Sequence, residues 1–151
     1  MRKTALEATR GEFLISADPE KQDVDAVHAF LTRSYWARGV TRDVVERSVR
    51  HLLCFGLFFE GRQIGFGRVI TDRATYGYLA DVYVLEEFRG RGLGRWLVEC
   101  MVNHPELQRC RKLALATRDA HTLYARFGFQ PLQRPQDHLE RRPPGYREPE
   151  E

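Results

Sequence analysis

The chain has 151 residues, of which 42% are hydrophobic and 30% charged, and its formal net charge at pH 7 is +3. This length and apolar content support one domain that buries its own core. Its three cysteines show no CxxC or Cys/His spacing, which argues against a disulfide framework or a structural zinc site. Its 24 basic residues are spread along the sequence, whereas a nucleic-acid-binding protein normally concentrates them on one face.

The N-terminus "MRKTALEATRGEFLIS" has a basic start but no apolar stretch of signal-peptide length, and no run approaches the 18 apolar residues of a membrane span. We therefore expect a soluble protein of the reducing cytoplasm. We expect no metal, no nucleic-acid partner and no membrane partner.

The first half of the chain predicts one strand and two helices. "EFLIS" reads as a strand, and "DPEKQDVDAVHAFLTRSYW" as a helix with Asp23 as a plausible cap. "TRDVVERSVRHLL" predicts a second helix, whose inward-facing residues are Val44, Val45, Val49 and Leu52 or Leu53.

Aromatic and β-branched residues then predict three consecutive antiparallel strands. "CFGLFFEGRQIGFGRVITD" reads as a hairpin that turns at "EGR". In "TYGYLADVYVL", alternation places Leu79, Asp81 and Tyr83 on one face of the third strand, opposite Ala80 and Val82.

The second half predicts a helix in "LGRWLVECMVNHP", a buried strand in "KLALAT" and a helix in "RDAHTLYARFGF" that stops at Gly128. "FQPL" and "HLERR" are expected to supply the last two strands. The fold class is therefore α/β, with one mixed, mostly antiparallel sheet of six to seven strands flanked by about four helices. We expect a single domain over residues 1–142 and a flexible tail over 143–151.

The stretch "RGRGLG", from Arg89 to Gly94, is the strongest candidate for an anion-binding loop. A dinucleotide-binding GxGxxG would need glycine at Arg95, and a Walker loop would need GK[ST], so neither template fits. The spacing Arg-x-x-Gly-x-Gly fits at Arg89, Gly92 and Gly94. It places backbone N–H groups at the first turn of a helix, where anionic oxygens are favoured.

This loop follows the strand "LADVYVLEEF", and about 30 residues later "AHTLYARFGF" matches the pattern Ala-x-x-Leu-Tyr-x-x-x-Gly-Phe at every fixed position. Over residues 52 to 142 the sequence resembles the GNAT N-acetyltransferase family, as a small single-domain member of the bacterial type. Thr117 stands where many relatives carry Asn, which puts one contact to the co-substrate in doubt.

The resemblance implies acetyl-CoA as co-substrate, without a metal. The strand is expected to bind the pantetheine amides, with the Val84 N–H polarising the thioester carbonyl. The glycine loop is expected to hold the pyrophosphate, with Arg91 or Arg95 also able to meet the 3′-phosphate. The expected cofactor-binding residues are Val82, Tyr83, Val84, Arg89, Gly90, Arg91, Gly92, Leu93, Gly94, Arg95, Thr117 and Leu123.

The resemblance also implies that Tyr124 is the general acid for the leaving thiolate, the alternative being a core tyrosine. Asp81, a carboxylate within an apolar run, is a candidate general base. Its alternative is an aspartate that pairs with an arginine such as Arg68 or holds a helix end. Asp119 and His121 are further candidates for the base, although Asp119 could instead cap the last helix.

The acceptor pocket is expected in the N-terminal half, where Tyr35 and Trp36 of "RSYWARGV" are candidate substrate-binding residues or core residues. The leading hypothesis is acetyl transfer to a primary amine by direct attack in a ternary complex, since Cys100 falls on the buried face of its helix. The alternative is a non-catalytic acyl-CoA-binding regulatory or interaction module. The sequence leaves open whether the acceptor is a small molecule or a protein, and whether the chain is a monomer or a homodimer.

Overall fold

The structure, a computed structural model, describes residues 5–146. One six-stranded sheet follows the chain order β1 (Glu7–Arg10), β2 (Phe13–Ser16), β3 (Leu53–Phe59), β4 (Arg62–Thr71), β5 (Tyr76–Val84) and β6 (Lys112–Ala114). Neighbouring strands are antiparallel except β5 and β6, which run parallel. The helices are α1 (Val24–Leu31), α2 (Arg42–His51), α3 (Leu93–Val102) and α4 (His121–Ala125). The predicted fold class is confirmed.

The N-terminal helices begin where the sequence places their caps. The Asp23 carboxylate accepts a hydrogen bond from the Ala26 N–H at 3.1 Å, which confirms this residue as the cap of α1. The Thr41 hydroxyl accepts one from the Val44 N–H at 3.4 Å and caps α2. The inward placement of Val44 is wrong, because its side chain is 50% exposed.

Hydrophobic cores lie on both faces of the sheet. One core packs α1 and α2 against Phe66 and Tyr83. The other packs α3 and Tyr124 against the opposite face, with Leu97 and Met101 fully buried. The sheet is thus covered on both sides.

Toward the chain ends, the structure of residues 5–146 adds one strand that was not predicted and lacks two strands that were. Strand β1 was not predicted, because "EATR" carries no apolar alternation, yet it pairs with β2 across the turn at Gly11. The segments "FQPL" and "HLERR" form no strands, and Leu139 is 96% exposed. Prolines at 131 and 135 contribute here, since proline lacks the N–H that a strand ladder needs.

The single domain expected over residues 1–142 stays a prediction. The expected tail over 143–151 lies, beyond Tyr146, outside the described residues. Within residues 5–146, no helix is both long enough and apolar enough to cross a membrane.

Candidate active site

A bulge in β5 sets the geometry of the site. Phe66 pairs with Tyr83 and Arg68 pairs with Ala80, so two residues of β5, 81 and 82, oppose the single residue 67 of β4. Asp81 takes a left-handed conformation with φ of 57°. The predicted alternation is therefore wrong beyond Ala80, because the bulge moves Tyr83 to the α1 and α2 face while Leu79 stays on the α3 face.

The far end of β5 has an open edge. Strand β6 pairs with β5 only over Tyr76–Tyr78, so the end of β5 has no described strand on that side. The Leu85 N–H donates to the Ile64 carbonyl at 2.8 Å. Because hydrogen-bonded and non-hydrogen-bonded pairs alternate in antiparallel strands, the N–H and carbonyl of Val84 point away from β4. The Arg89 Nε donates to that carbonyl at 2.9 Å, which ties the following loop to the strand.

The glycine loop opens its main chain toward this edge. Gly90 and Gly92 have φ of 80° and 75°, a conformation that glycine adopts without strain, and no heavy atom lies within 4 Å of where a Cβ would stand. Gly92 is the N-cap of α3, whose first intrahelical bond runs from the Trp96 N–H to the Gly92 carbonyl. The N–H groups of residues 93–95 therefore have no intrahelical acceptor.

A cavity of about 600 Å³, the larger cavity, runs from this loop along the open edge of β5. Most of the predicted cofactor-binding residues line it: Val82, Tyr83, Val84, Arg89, Gly90, Gly92, Leu93, Gly94 and Leu123. Arg91 and Arg95 are exposed and do not line it, and the Arg91 guanidinium lies 5.8 Å from the Phe88 ring centre. Thr117 does not line it either; its hydroxyl accepts from the Ala120 N–H at 3.2 Å. The predicted cofactor roles of these residues stay predictions.

A second cavity of about 440 Å³, the smaller cavity, lies between α1, α2 and the face of β4 and β5. Thr117 lines this cavity, as do valines of both helices. The two cavities share six lining residues, which form a junction: Tyr35, Trp36, Val82, Asp119, Ala120 and Tyr124. Both predicted substrate-binding residues and the predicted acid are therefore brought together.

Tyr124 is the buried residue of the junction, with 8% of its surface exposed. Its ring packs edge-on against Phe129 at 5.8 Å between centroids. Burial is the main cause that raises the pKa of Tyr124 from 10 to about 12, with smaller contributions from the nearby Tyr35 and Asp119. The phenol is therefore a protonated hydrogen-bond donor at neutral pH.

Asp81 is engaged by two partners. One carboxylate oxygen accepts from Trp36 Nε1 at 2.8 Å, and the other accepts from Arg68 Nε at 2.5 Å. The side chains of Asp81 and Arg68 are 10% and 18% exposed. The pairing with Arg68, one of the two alternatives for Asp81, is thus present in the structure.

Of the other candidate bases, Asp119 lines both cavities and His121 lines neither. Asp119 does not cap α4. The N-cap is Ala120, whose N–H bonds to the Thr117 hydroxyl. Asp119 is therefore the candidate base that faces the junction.

The family described as Acetyltransferase (GNAT) domain matches residues 50–131, more than half of the chain and the part that holds the β5 bulge, the glycine loop and Tyr124. The chain belongs to the GNAT acetyltransferase family. A protein of Gibberella zeae assigned as an acetyltransferase is 34% identical, and the match covers 78% of each chain.

Solved structures share the fold of this GNAT acetyltransferase. A Xanthomonas campestris protein assigned to the GNAT family is 46% identical, with a TM-score of 0.84 over 88% of this chain and 94% of that one. A Clostridium acetobutylicum protein assigned as an acetyltransferase, solved with acetyl-CoA, is 17% identical, with a TM-score of 0.64 over 86% of this chain and 94% of that one. The second likeness shows the fold alone.

Sequence reasoning missed two features of this GNAT site. Phe30 of α1 stacks on Tyr83 at 3.8 Å between centroids and forms part of the wall of the larger cavity. Arg68 was considered only as a partner of Asp81, yet it also lines the smaller cavity. A lone arginine within the apolar strand "IGFGRVI" was the available signal.

Proposed function

We propose that this GNAT chain transfers an acetyl group from acetyl-CoA to a primary amine by direct attack in a ternary complex. One observation carries the proposal: the two cavities meet at Tyr124, and the larger one reaches the glycine loop. The larger cavity then takes acetyl-CoA and the smaller one takes the acceptor, so that the thioester and the amine meet at the junction.

The main chain fits acetyl-CoA at both ends of the larger cavity. The first N–H groups of α3 have no side-chain cap among the described residues and no intrahelical acceptor, and such a helix N-terminus favours the pyrophosphate. The outward N–H of Val84 can donate to the thioester carbonyl and stabilise the oxyanion that develops there. Losing one such donor typically costs about 3 to 4 kcal/mol of transition-state stabilisation.

The reaction needs a neutral amine, because an ammonium has no lone pair with which to attack. For an alkylamine of pKa about 10.4, deprotonation at pH 7 costs about 4.6 kcal/mol. We assign Asp119 as the general base that accepts the amine proton, directly or through water, since Asp119 lines both cavities. Asp81 already binds Trp36 and Arg68, so in this proposal it positions these two side chains.

The bond changes balance within the junction. The amine nitrogen forms a bond to the acetyl carbon as the C–S bond breaks, and the amine proton passes to Asp119. Tyr124 protonates the leaving thiolate and is later reprotonated from solvent. Cys100 does not line either cavity, and burial raises the pKa of its thiol, so an acyl-cysteine intermediate is not part of the proposal.

The test combines binding and turnover. Calorimetry should show acetyl-CoA binding, and thiol release should need both acetyl-CoA and an amine, with an N-acetyl product seen by mass spectrometry. Initial rates should give intersecting lines for a ternary complex. Parallel lines would point to a covalent intermediate, and binding without any product from a broad amine panel would support the non-catalytic acyl-CoA module.

A further inference from the structure

Arg68 brings unused hydrogen-bonding capacity into the smaller cavity. A guanidinium has five N–H donors, and here Nε binds Asp81. Within residues 5–146, the two terminal nitrogens of Arg68 have no hydrogen-bond acceptor. Because the side chain is 18% exposed and lines the smaller cavity, these nitrogens are available to a bound molecule.

Arg68 is the only cationic residue among the described residues that line the smaller cavity. Among the described lining residues, the charged ones are Arg68, Asp81 and Asp119, and each oxygen of Asp81 already accepts a hydrogen bond. Polar side chains such as Ser48 and Thr117 share the walls with apolar ones, which include Val27, Leu31, Val45, Val49 and Phe66. A planar pair of N–H groups in such a cavity matches a carboxylate.

Two side-chain contacts connect the junction to Arg68. Trp36 lies at the junction, and its hydrogen bond to Asp81 continues through the ion pair to Arg68. Arg68 is therefore two side-chain contacts away from the junction, where the amine would meet Asp119 and Tyr124. The carbon skeleton of the acceptor would contact the apolar walls.

We propose that the acceptor is an amino acid or similar amino carboxylate with an apolar skeleton, whose carboxylate binds the terminal nitrogens of Arg68. This inference rests on the proposed function, because it names the acceptor of the same reaction. It makes Arg68 a specificity-determining residue and Asp81 the residue that orients it.

The first test compares amines that differ by one carboxylate, using leucine against 3-methylbutylamine and 5-aminopentanoate against butylamine. The wild-type protein should show a kcat/KM about 10- to 100-fold higher for the carboxylate in at least one pair, as expected for a charge-assisted hydrogen bond. Equal or faster acetylation of both carboxylate-free amines would overturn the inference and leave the proposed function intact.

The second test removes the charge pair. Arg68→Gln alone would strand a buried carboxylate, which is strongly destabilising, so the variant is Arg68→Gln with Asp81→Asn. In this variant the ratio of kcat/KM for the carboxylate-bearing amine to kcat/KM for its carboxylate-free partner should fall to about one. The control is Arg73→Gln, which removes an ion pair with Glu106 away from both cavities and should keep the preference. If the double variant does not fold, Arg68→Lys keeps the charge but loses the planar fork, and should still lower the preference; an unchanged preference would contradict the assignment to Arg68.

A binding measurement separates this inference from the chemistry. On protein saturated with CoA, calorimetry compares N-acetylleucine with N-(3-methylbutyl)acetamide. Tighter binding of the carboxylate that is lost in the double variant supports the Arg68 site even if no amine is acetylated, and in that case only the proposed function fails. Equal binding of the two ligands overturns the inference.

Discussion

The larger and the smaller cavity share the six junction residues but depend on different kinds of chemical group. The larger one depends on main-chain groups, namely the open edge of β5 and the N–H groups that Gly90 and Gly92 expose. The smaller one depends on side chains from α1, α2, β4 and β5, which are far apart in the sequence. A local spacing of glycines in the sequence indicates the main-chain groups of the larger cavity. The side chains of the smaller cavity come together only in the folded protein.

This difference explains why the co-substrate is easier to infer than the acceptor. Main-chain N–H and carbonyl groups can bind the same ligand in proteins with different neighbouring side chains, provided that the backbone keeps its conformation. Side chains that line the smaller cavity can change one at a time and alter what binds there. The two cavities share Tyr124, so the strongest test of the comparison lies at this residue.

Replacing Tyr124 by phenylalanine should give the largest effect. The ring and its packing against Phe129 are kept, while the proton donor at the junction is lost. We expect kcat to fall by about 100-fold or more, as for loss of a general acid, with the acetyl-CoA Kd changed less than about threefold. Calorimetry and thiol release on the same preparation measure both quantities.

Tyr35→Phe is the matched control, because Tyr35 also lies at the junction and carries no assigned proton transfer. It should retain most of the wild-type kcat, and any effect of Tyr35 on acceptor binding should appear in KM instead. If Tyr124→Phe likewise keeps its kcat and only lowers the melting temperature, Tyr124 is a core tyrosine and the acid must be sought elsewhere.

The sequence allowed much of the lining of the larger cavity to be predicted because its signals are local. The strand, the glycine loop and α3 follow one another within about 30 residues, and the period of apolar residues and the glycine spacing identify them. The left-handed conformation of Asp81 could not be read this way. It depends on the pairing of β5 with β4, which shifts the register of every later residue.

The contacts within the smaller cavity could not be predicted for a related reason. The contacts of Asp81 with Arg68 and Trp36 join residues 13 and 45 positions apart, and no spacing in the sequence indicates the second one. The predictions of strands at "FQPL" and "HLERR" were wrong for a different reason. Short apolar runs suggested these strands, but such runs do not establish strand pairing where prolines interrupt the chain.

Gly92→Ala tests the main-chain side of the comparison and should give an intermediate effect. Alanine at φ of 75° is strained by about 1 to 2 kcal/mol, although no atom blocks its Cβ, so the loop should shift. Displacing one N–H from a charged phosphate should weaken acetyl-CoA binding about 10- to 100-fold by calorimetry.

Gly11→Ala provides the control, since Gly11 also has a positive φ and open space but lies in the hairpin between β1 and β2. Both variants should lose a similar amount of stability. Equal acetyl-CoA affinities in the two variants would show that the glycine loop does not hold the co-substrate.

The smallest expected effect concerns alkaline stability and tests whether the junction excludes water from Tyr124. Burial raises the pKa of Tyr124 from 10 to about 12, so the folded state keeps this proton over a pH range in which the unfolded state loses it. The contribution of Tyr124 to the free energy of unfolding is complete below pH 10 and is lost as the pH rises to about 12. At pH 11 the loss amounts to about 1.4 kcal/mol. Burial also raises the pKa of Cys54 to about 12, which adds a loss of stability of the same sign.

Urea unfolding at pH 8 and 11 should therefore show a smaller loss of unfolding free energy for Tyr124→Phe than for the wild type. The control is Tyr76→Phe, at a residue that is 42% exposed. The same pH dependence in Tyr124→Phe and the wild type would mean that solvent reaches the hydroxyl and that burial does not raise the pKa of Tyr124.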